Sequence, residues 1–173
     1  MKSMFFVIAI IFFTLPIYAQ VQVEEGQEDE CYQEIIQDMN KEIAEAPTNA
    51  ELYITRGNAK YYLDDFRGAM SDYKQALENN ESSAEAYCRL GMVKLQFLNQ
   101  FEESLADFEK SIELNEKYAL AYYGRGLAKI AKQEDDKEGG CADLSKAGEL
   151  GEIKAYQALK NLCKSSKDVA KEE

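Results

Sequence analysis

Histidine is absent from the chain, and with it go the commonest general base at neutral pH and the commonest metal ligand. Proline occurs only twice, so little in the chain obstructs helices. Basic residues are outnumbered: 20 Lys and Arg stand against 32 Asp and Glu, a formal charge of −12. So acidic a surface repels phosphate, which excludes nucleic acid as an expected partner. No apolar run reaches the roughly 20 residues needed to span a bilayer as a helix; the longest, "MFFVIAIIFF" at 4–13, is about half that. No serine–histidine or cysteine–histidine set and no phosphate-cradling glycine motif is present. "EDDKE" at 134–138 lacks the alternating ligands and glycine of a calcium loop. These absences predict no catalytic residue, no metal site and no cofactor.

What is present is a 173-residue chain, 46% apolar, enough for one folded domain with extensions. Lys2, the apolar run, Pro16 and a small residue at Ala19 read as a signal peptide over 1–19, cleaved after "IYA"; an uncleaved anchor is the other reading. Removing Lys2 leaves 19 basic against 32 acidic residues, or −13 (19 − 32). The expected mature chain is exported, periplasmic or secreted, without stable membrane insertion. The stretch 20–30, which contains "VEEGQEDE" (23–30), and the tail 166–173 are expected to be disordered.

Between them lies an internal repeat. "LYITRGNAKYY" (52–62), "AYCRLGMVKLQ" (86–96) and "AYYGRGLAKIA" (121–131) each carry a mid-helix glycine, Gly57, Gly91 and Gly126, at intervals of 34 and 35 residues. A tyrosine stands four residues before each (Tyr53, Tyr87, Tyr122), and an aspartate follows after 15, 16 and 17 residues (Asp72, Asp107, Asp143). From aspartate to the next glycine the count is 19 both times. One junction in each unit therefore tolerates insertion and is an exposed turn, while the other is fixed and packed. Helix A is expected near 50–62, 84–97 and 119–132, and helix B near 66–79, 101–115 and 139–149.

Helix B places small residues seven apart: Ala69 and Ala76, Ser104 and Ser111, Gly140 and Ala147. Seven residues make two turns, so each pair shares a stripe. Small groups opposite a glycine let helix axes approach. The three glycines cost about 3 kcal/mol of helix propensity, which burial of aromatic neighbours offsets at ~25 cal/mol per Å². Tyr53 is expected to lock against Phe66 and Tyr73, and Tyr87 against Phe101 and Phe108.

This pattern resembles the tetratricopeptide repeat, a 34-residue helix–turn–helix unit, and the likeness covers about 50–151. It implies an all-α, right-handed solenoid of three repeats, 50–83, 84–118 and 119–151. Repeat two departs with serines at the small positions, and repeat three with Lys137 where Phe66 and Phe101 stand, so its internal turn is expected to be the loosest. Counting 19 back from Gly57 reaches Asp38, making 31–46 a lone helix B; counting 19 on from Asp143 reaches Leu162, making 152–165 a lone helix A. Such pieces cap the last apolar faces of a solenoid.

Arg56 with Asp72, and Arg125 with Asp143, are expected to pair inside their repeats, whereas repeat two has Leu90 there and Arg89 one residue earlier. The four cysteines allow three pairings. In the up–down geometry of the solenoid, Cys141 early in helix B and Cys163 late in the following helix come out nearly level, so Cys141–Cys163 is the expected disulfide, contributing ~3 kcal/mol on the chain-entropy account. Cys31 and Cys88 fall at opposite ends of the stack and are left as free thiols, with Cys31 alternatively joining two chains.

The resemblance further implies a concave wall lined by helix A. Carried onto this chain its positions are Glu51, Ile54, Asn58, Tyr61 and Tyr62; Glu85, Cys88, Met92, Leu95 and Gln96; Leu120, Tyr123, Leu127, Ile130 and Ala131. This set is apolar, aromatic and without cations, so a basic or apolar segment is favoured over a terminal carboxylate. The expected function is a non-catalytic adaptor or scaffold that binds a protein or peptide partner. The alternative is a structural subunit that self-associates through the same wall as a weak homodimer. The end helices or the "VQVEE" segment folding across the wall would instead make it ordinary core.

Overall fold

The computed structural model describes residues 27–132 and 136–163. The described residues form an all-α chain of α1 (Gln27–Glu45), α2 (Ala50–Tyr62), α3 (Phe66–Asn79), α4 (Ala84–Phe97), α5 (Phe101–Leu114), α6 (Ala119–Ala131), α7 (Lys137–Glu149) and α8 (Ile153–Leu162). Each helix packs on the next in sequence, and α4 also touches α6. The signal-peptide segment 1–19, residues 20–26 of the linker, 133–135 of the turn expected to be loose, residues 164–165 and the tail lie outside the described residues.

The repeated glycines sit where helix A meets helix B. A Cβ on Gly57 would lie 2.7 Å from Tyr73 Cε1, and one on Gly126 would lie 2.8 Å from the Gly140 carbonyl oxygen. What fills the space opposite is thus the large residue of helix B together with its backbone, and the small stripe residues let that backbone come near. Another close approach lies between repeats: a Cβ on Gly124 would stand 2.3 Å from Phe108 Cε1. Around these contacts run Ala69, Tyr73, Ala76, Phe108, Leu144 and Ala147, all 1% exposed or less. The serines of repeat two are satisfied internally, Ser104 Oγ donating to the Phe101 carbonyl (2.8 Å) and Ser111 Oγ to that of Ala84 (2.7 Å).

The turns differ from expectation. In repeats one and two three residues separate helix A from helix B, Leu63–Asp65 and Leu98–Gln100, with Asp64 (φ 59°) and Asn99 (φ 52°) in the left-handed region. Asp and Asn are the non-glycine residues that tolerate that conformation best. The extra residue of repeat two lengthens α4, which has 14 residues against 13 in α2. The inserted residue therefore extends a helix and leaves the loop unchanged.

Tyr53 does not lock against Phe66. It packs with Ile54, Ala76 and Ala86, and its hydroxyl donates to the Pro47 carbonyl (2.9 Å). In an antiparallel pair the start of helix A is level with the end of helix B, whereas Phe66 opens helix B at the other end. Phe66 instead stacks on Phe97 and meets Tyr61 edge-on.

Both ends depart from the count. α1 starts at Gln27, so 27–30 are helix, and Glu28, Asp29 and Glu30 occupy its first turn, where the helix dipole favours acidic groups. At the other end Tyr156 takes the place of the repeat tyrosine: its hydroxyl donates to the Gly148 carbonyl (2.9 Å), as Tyr53 does to Pro47. Lys160 then falls four residues later, where a repeat glycine would stand, in place of Leu162. The count fails by two: α7 ends one residue sooner after its aspartate than α3 does, and the following turn has three residues in place of four, with Gly151 at φ 100°. No helix B follows α8 among the described residues, so nothing there requires a glycine.

Candidate concave binding groove

The groove is built from the A-type helices α2, α4, α6 and α8, and its position follows from ion pairs that fix each A helix on its B partner. Arg56 forks onto Asp72 (Nε–Oδ2 3.0 Å, Nη2–Oδ1 2.6 Å), and Arg125 onto Asp143 (2.8 and 2.7 Å). Each arginine also lies over the tyrosine three residues before it, 5.5 Å from the ring centroid. A lysine three residues after each repeat glycine joins the same aspartate: Lys60–Asp72 at 2.8 Å, Lys94–Asp107 at 2.6 Å, Lys129–Asp143 at 3.0 Å. In repeat two this lysine stands in for the missing arginine, in a contact off-line for a hydrogen bond, and burial raises the Asp107 pKa despite it.

Arg89 shows what the one-residue displacement does. A step along a helix turns a side chain by about 100°, so Arg89 leaves the helix–helix seam and lines the concave face, contacting Glu85 Oε1 at 3.3 Å. It borders a cleft of about 140 Å³ together with Tyr61, Tyr62, Tyr73, Met92, Gln96, Leu120, Tyr123 and Lys154. A second, wider hollow of about 360 Å³ continues from Tyr123 and Lys154 along Leu127, Gln157, Ala158, Asn161 and Leu162. Tyr61 bonds to Gln96, tying α2 to α4, and its ring meets Tyr62 and Phe97 edge-on. Tyr32 of α1 stacks on Tyr62 at 4.9 Å. Burial raises the phenol pKa of Tyr61, Tyr73 and Tyr123, so these hydroxyls stay protonated at neutral pH.

Of the expected wall, Tyr61, Tyr62, Met92, Gln96, Leu120, Tyr123 and Leu127 border these hollows. Ile54, Cys88 and Leu95 are buried within the core clusters and are not available as lining. Asn58 accepts from the Tyr73 hydroxyl (2.9 Å), and Ile130 lies against Gly140 of α7. Glu51 and Ala131 are exposed without bordering either hollow. Tyr73, Arg89 and the α8 set were missed. The displaced arginine was visible in the sequence; the α8 set was hidden by the two-residue error in register, for Lys154, Gln157 and Asn161 hold positions 2, 5 and 9 of their helix, counted from Ile153. The expectation of a wall without cations is corrected by Arg89 and Lys154.

Cys141 and Cys163 are joined, with Cα atoms 5.8 Å apart. Cys31 is free and exposed; Cys88 is free and buried, and burial raises its thiol pKa. Among the described residues no cluster of acidic and cysteine side chains could hold a metal ion, and no helix is long and apolar enough to cross a membrane.

The tetratricopeptide repeat family model matches residues 50–83 and 84–118. Residues 50–118 are tetratricopeptide repeats. Its fold is that of the Arabidopsis OM64 TPR domain (27% identity, 66% of this chain and 93% of that one, TM-score 0.60). MamA is similar at 26% identity over 74% of this chain and 77% of that one (TM-score 0.59). YrrB, described as a TPR protein with an unusual peptide-binding site, is similar at 25% identity over 76% of this chain and 67% of that one (TM-score 0.62). No curated protein matches the chain. Such repeats serve as protein-interaction modules.

Proposed function

We propose that this repeat protein binds an extended or helical peptide segment of a partner along the groove of α2, α4, α6 and α8. The observation that carries the reading is the cleft where aromatic rings and Met92 meet two cations, Arg89 and Lys154. Aromatic and methionine surfaces suit an apolar anchor. The cations suit an acidic group beside it, against the sequence-based preference for a basic segment. YrrB supports the reading through its own peptide-binding site. We place this activity outside the cytoplasm, in a bacterial envelope or beyond it; the apolar N-terminal run after Lys2 and a paired cysteine couple favour an oxidising compartment.

Peptides selected from a displayed random library test this. The expected result is apolar-plus-acidic sequences whose binding falls at least about tenfold in Met92→Glu and in Arg89→Ala. Selected peptides indifferent to both changes overturn the choice of groove. Sedimentation separates the alternative: a concentration-dependent dimer abolished by Met92→Glu would make the wall a self-association surface.

A further inference from the structure

The terminal helix is anchored unevenly. Its first six residues are held by buried Ala155 and Ala158, by the Tyr156 hydroxyl on the Gly148 carbonyl (2.9 Å) and by the Glu152 N–H on the Ala147 carbonyl (2.9 Å). The last three residues of its second half, Lys160–Leu162, are exposed, and the bond from Cys163 to Cys141 of α7 ties that end down. A helix of ten residues is shorter than the ~12–15 at which isolated helices hold even marginally in water. Yet this half carries Asn161 and Leu162, one flank of the wider hollow.

We propose that oxidation of Cys141 and Cys163 completes the binding groove, so that the reduced chain offers only the part walled by α2, α4 and α6. The proposal rests on the peptide-binding reading above. The oxidant is a protein or small-molecule disulfide. One cysteine thiolate attacks it, breaking its S–S bond and giving a mixed disulfide. The other cysteine then attacks the first cysteine's Sγ, the Sγ–Sγ bond closes, the oxidant's sulfur is displaced, and two electrons and two protons leave with the oxidant as thiols. A chain not yet oxidised would then not capture a partner prematurely. Cys88 takes no part, being sealed in the core.

The test uses the whole chain carrying Cys31→Ser, which removes the exposed free thiol, in oxidised and dithiothreitol-reduced forms. Hydrogen exchange is expected to quicken about tenfold or more at 159–162 on reduction, with α2–α5 unchanged. Library-selected peptides whose footprint includes Leu127 and Leu162 should bind the reduced form, and the Cys141→Ser/Cys163→Ser variant, about tenfold more weakly. Equal exchange in both redox states overturns the proposal. So does loosening that spreads to α2–α5, which would make the bond a general staple. If the selection yields no groove binder, the peptide-binding reading falls by itself, and the exchange result still decides whether the bond holds the helix end.

Discussion

At Gly126 the obstacle to a side chain is a backbone carbonyl, that of Gly140, whereas at Gly91 it is the Phe108 ring, 3.0 Å from the place a Cβ would take. A ring edge can yield by a few tenths of an ångström; a helix backbone cannot without moving the helix. Urea denaturation is expected to show Gly126→Ala costing about 1–3 kcal/mol. Gly91→Ala should stay within about 1 kcal/mol of the parent, because alanine regains helix propensity there. The aspartates divide similarly. Asp72 and Asp143 each accept a forked arginine and a lysine, so Asn at either position is expected to cost about 1.5–3 kcal/mol. Asp107 pairs with Lys94 and has no forked arginine, and burial raises its pKa. A carboxyl whose folded pKa exceeds its unfolded value contributes most at low pH and loses that contribution as pH rises through the raised pKa. Asp107→Asn should therefore cost little at pH 7 and more near pH 4, measurable as a change in the acid limb of stability against pH.

Element by element, the helices of the three repeats were legible because period and spacing are local: α2 through α6 fall within a residue of the expected limits. The turn chemistry was not. A count of residues between glycine and aspartate cannot say whether an insertion enters a loop or a helix, and here α4 absorbed it. The left-handed residues within the three-residue turns of repeats one and two give a check. Asn99→Gly is expected to be neutral or to stabilise by up to about 0.5 kcal/mol, and Asn99→Val to destabilise by about 1–2 kcal/mol, read from the urea midpoint. The terminal helix was misread for a related reason. The spacing rule comes from repeats in which a glycine must meet a following helix B, a need that α8 does not have among the described residues.

Across the whole molecule the excess of negative charge opposes the compact state, and salt screens it. The melting temperature should therefore rise between about 0.01 and 0.15 M salt, and a falling value would show that the ion pairs of the helix seams outweigh the general repulsion. The groove was half legible at this scale. Of the residues placed by helix position, Tyr61, Met92 and Tyr123 came out bordering the cleft. Ile54, Cys88 and Leu95 went into the core clusters instead, although Tyr123 shares helix position 5 with Ile54 and Cys88, and Tyr61 shares position 12 with Leu95. The position alone does not decide which side chain stays at the surface. The contact between Gly124 and Phe108 carries a last consequence. Repeat two has Arg89 at the corresponding place, so its unit cannot be copied in tandem: a duplicate of 84–118 spliced after residue 118 would drive a guanidinium side chain into the Phe108 ring. The units have lost their interchangeability, and a longer array would first need that copied arginine exchanged for glycine.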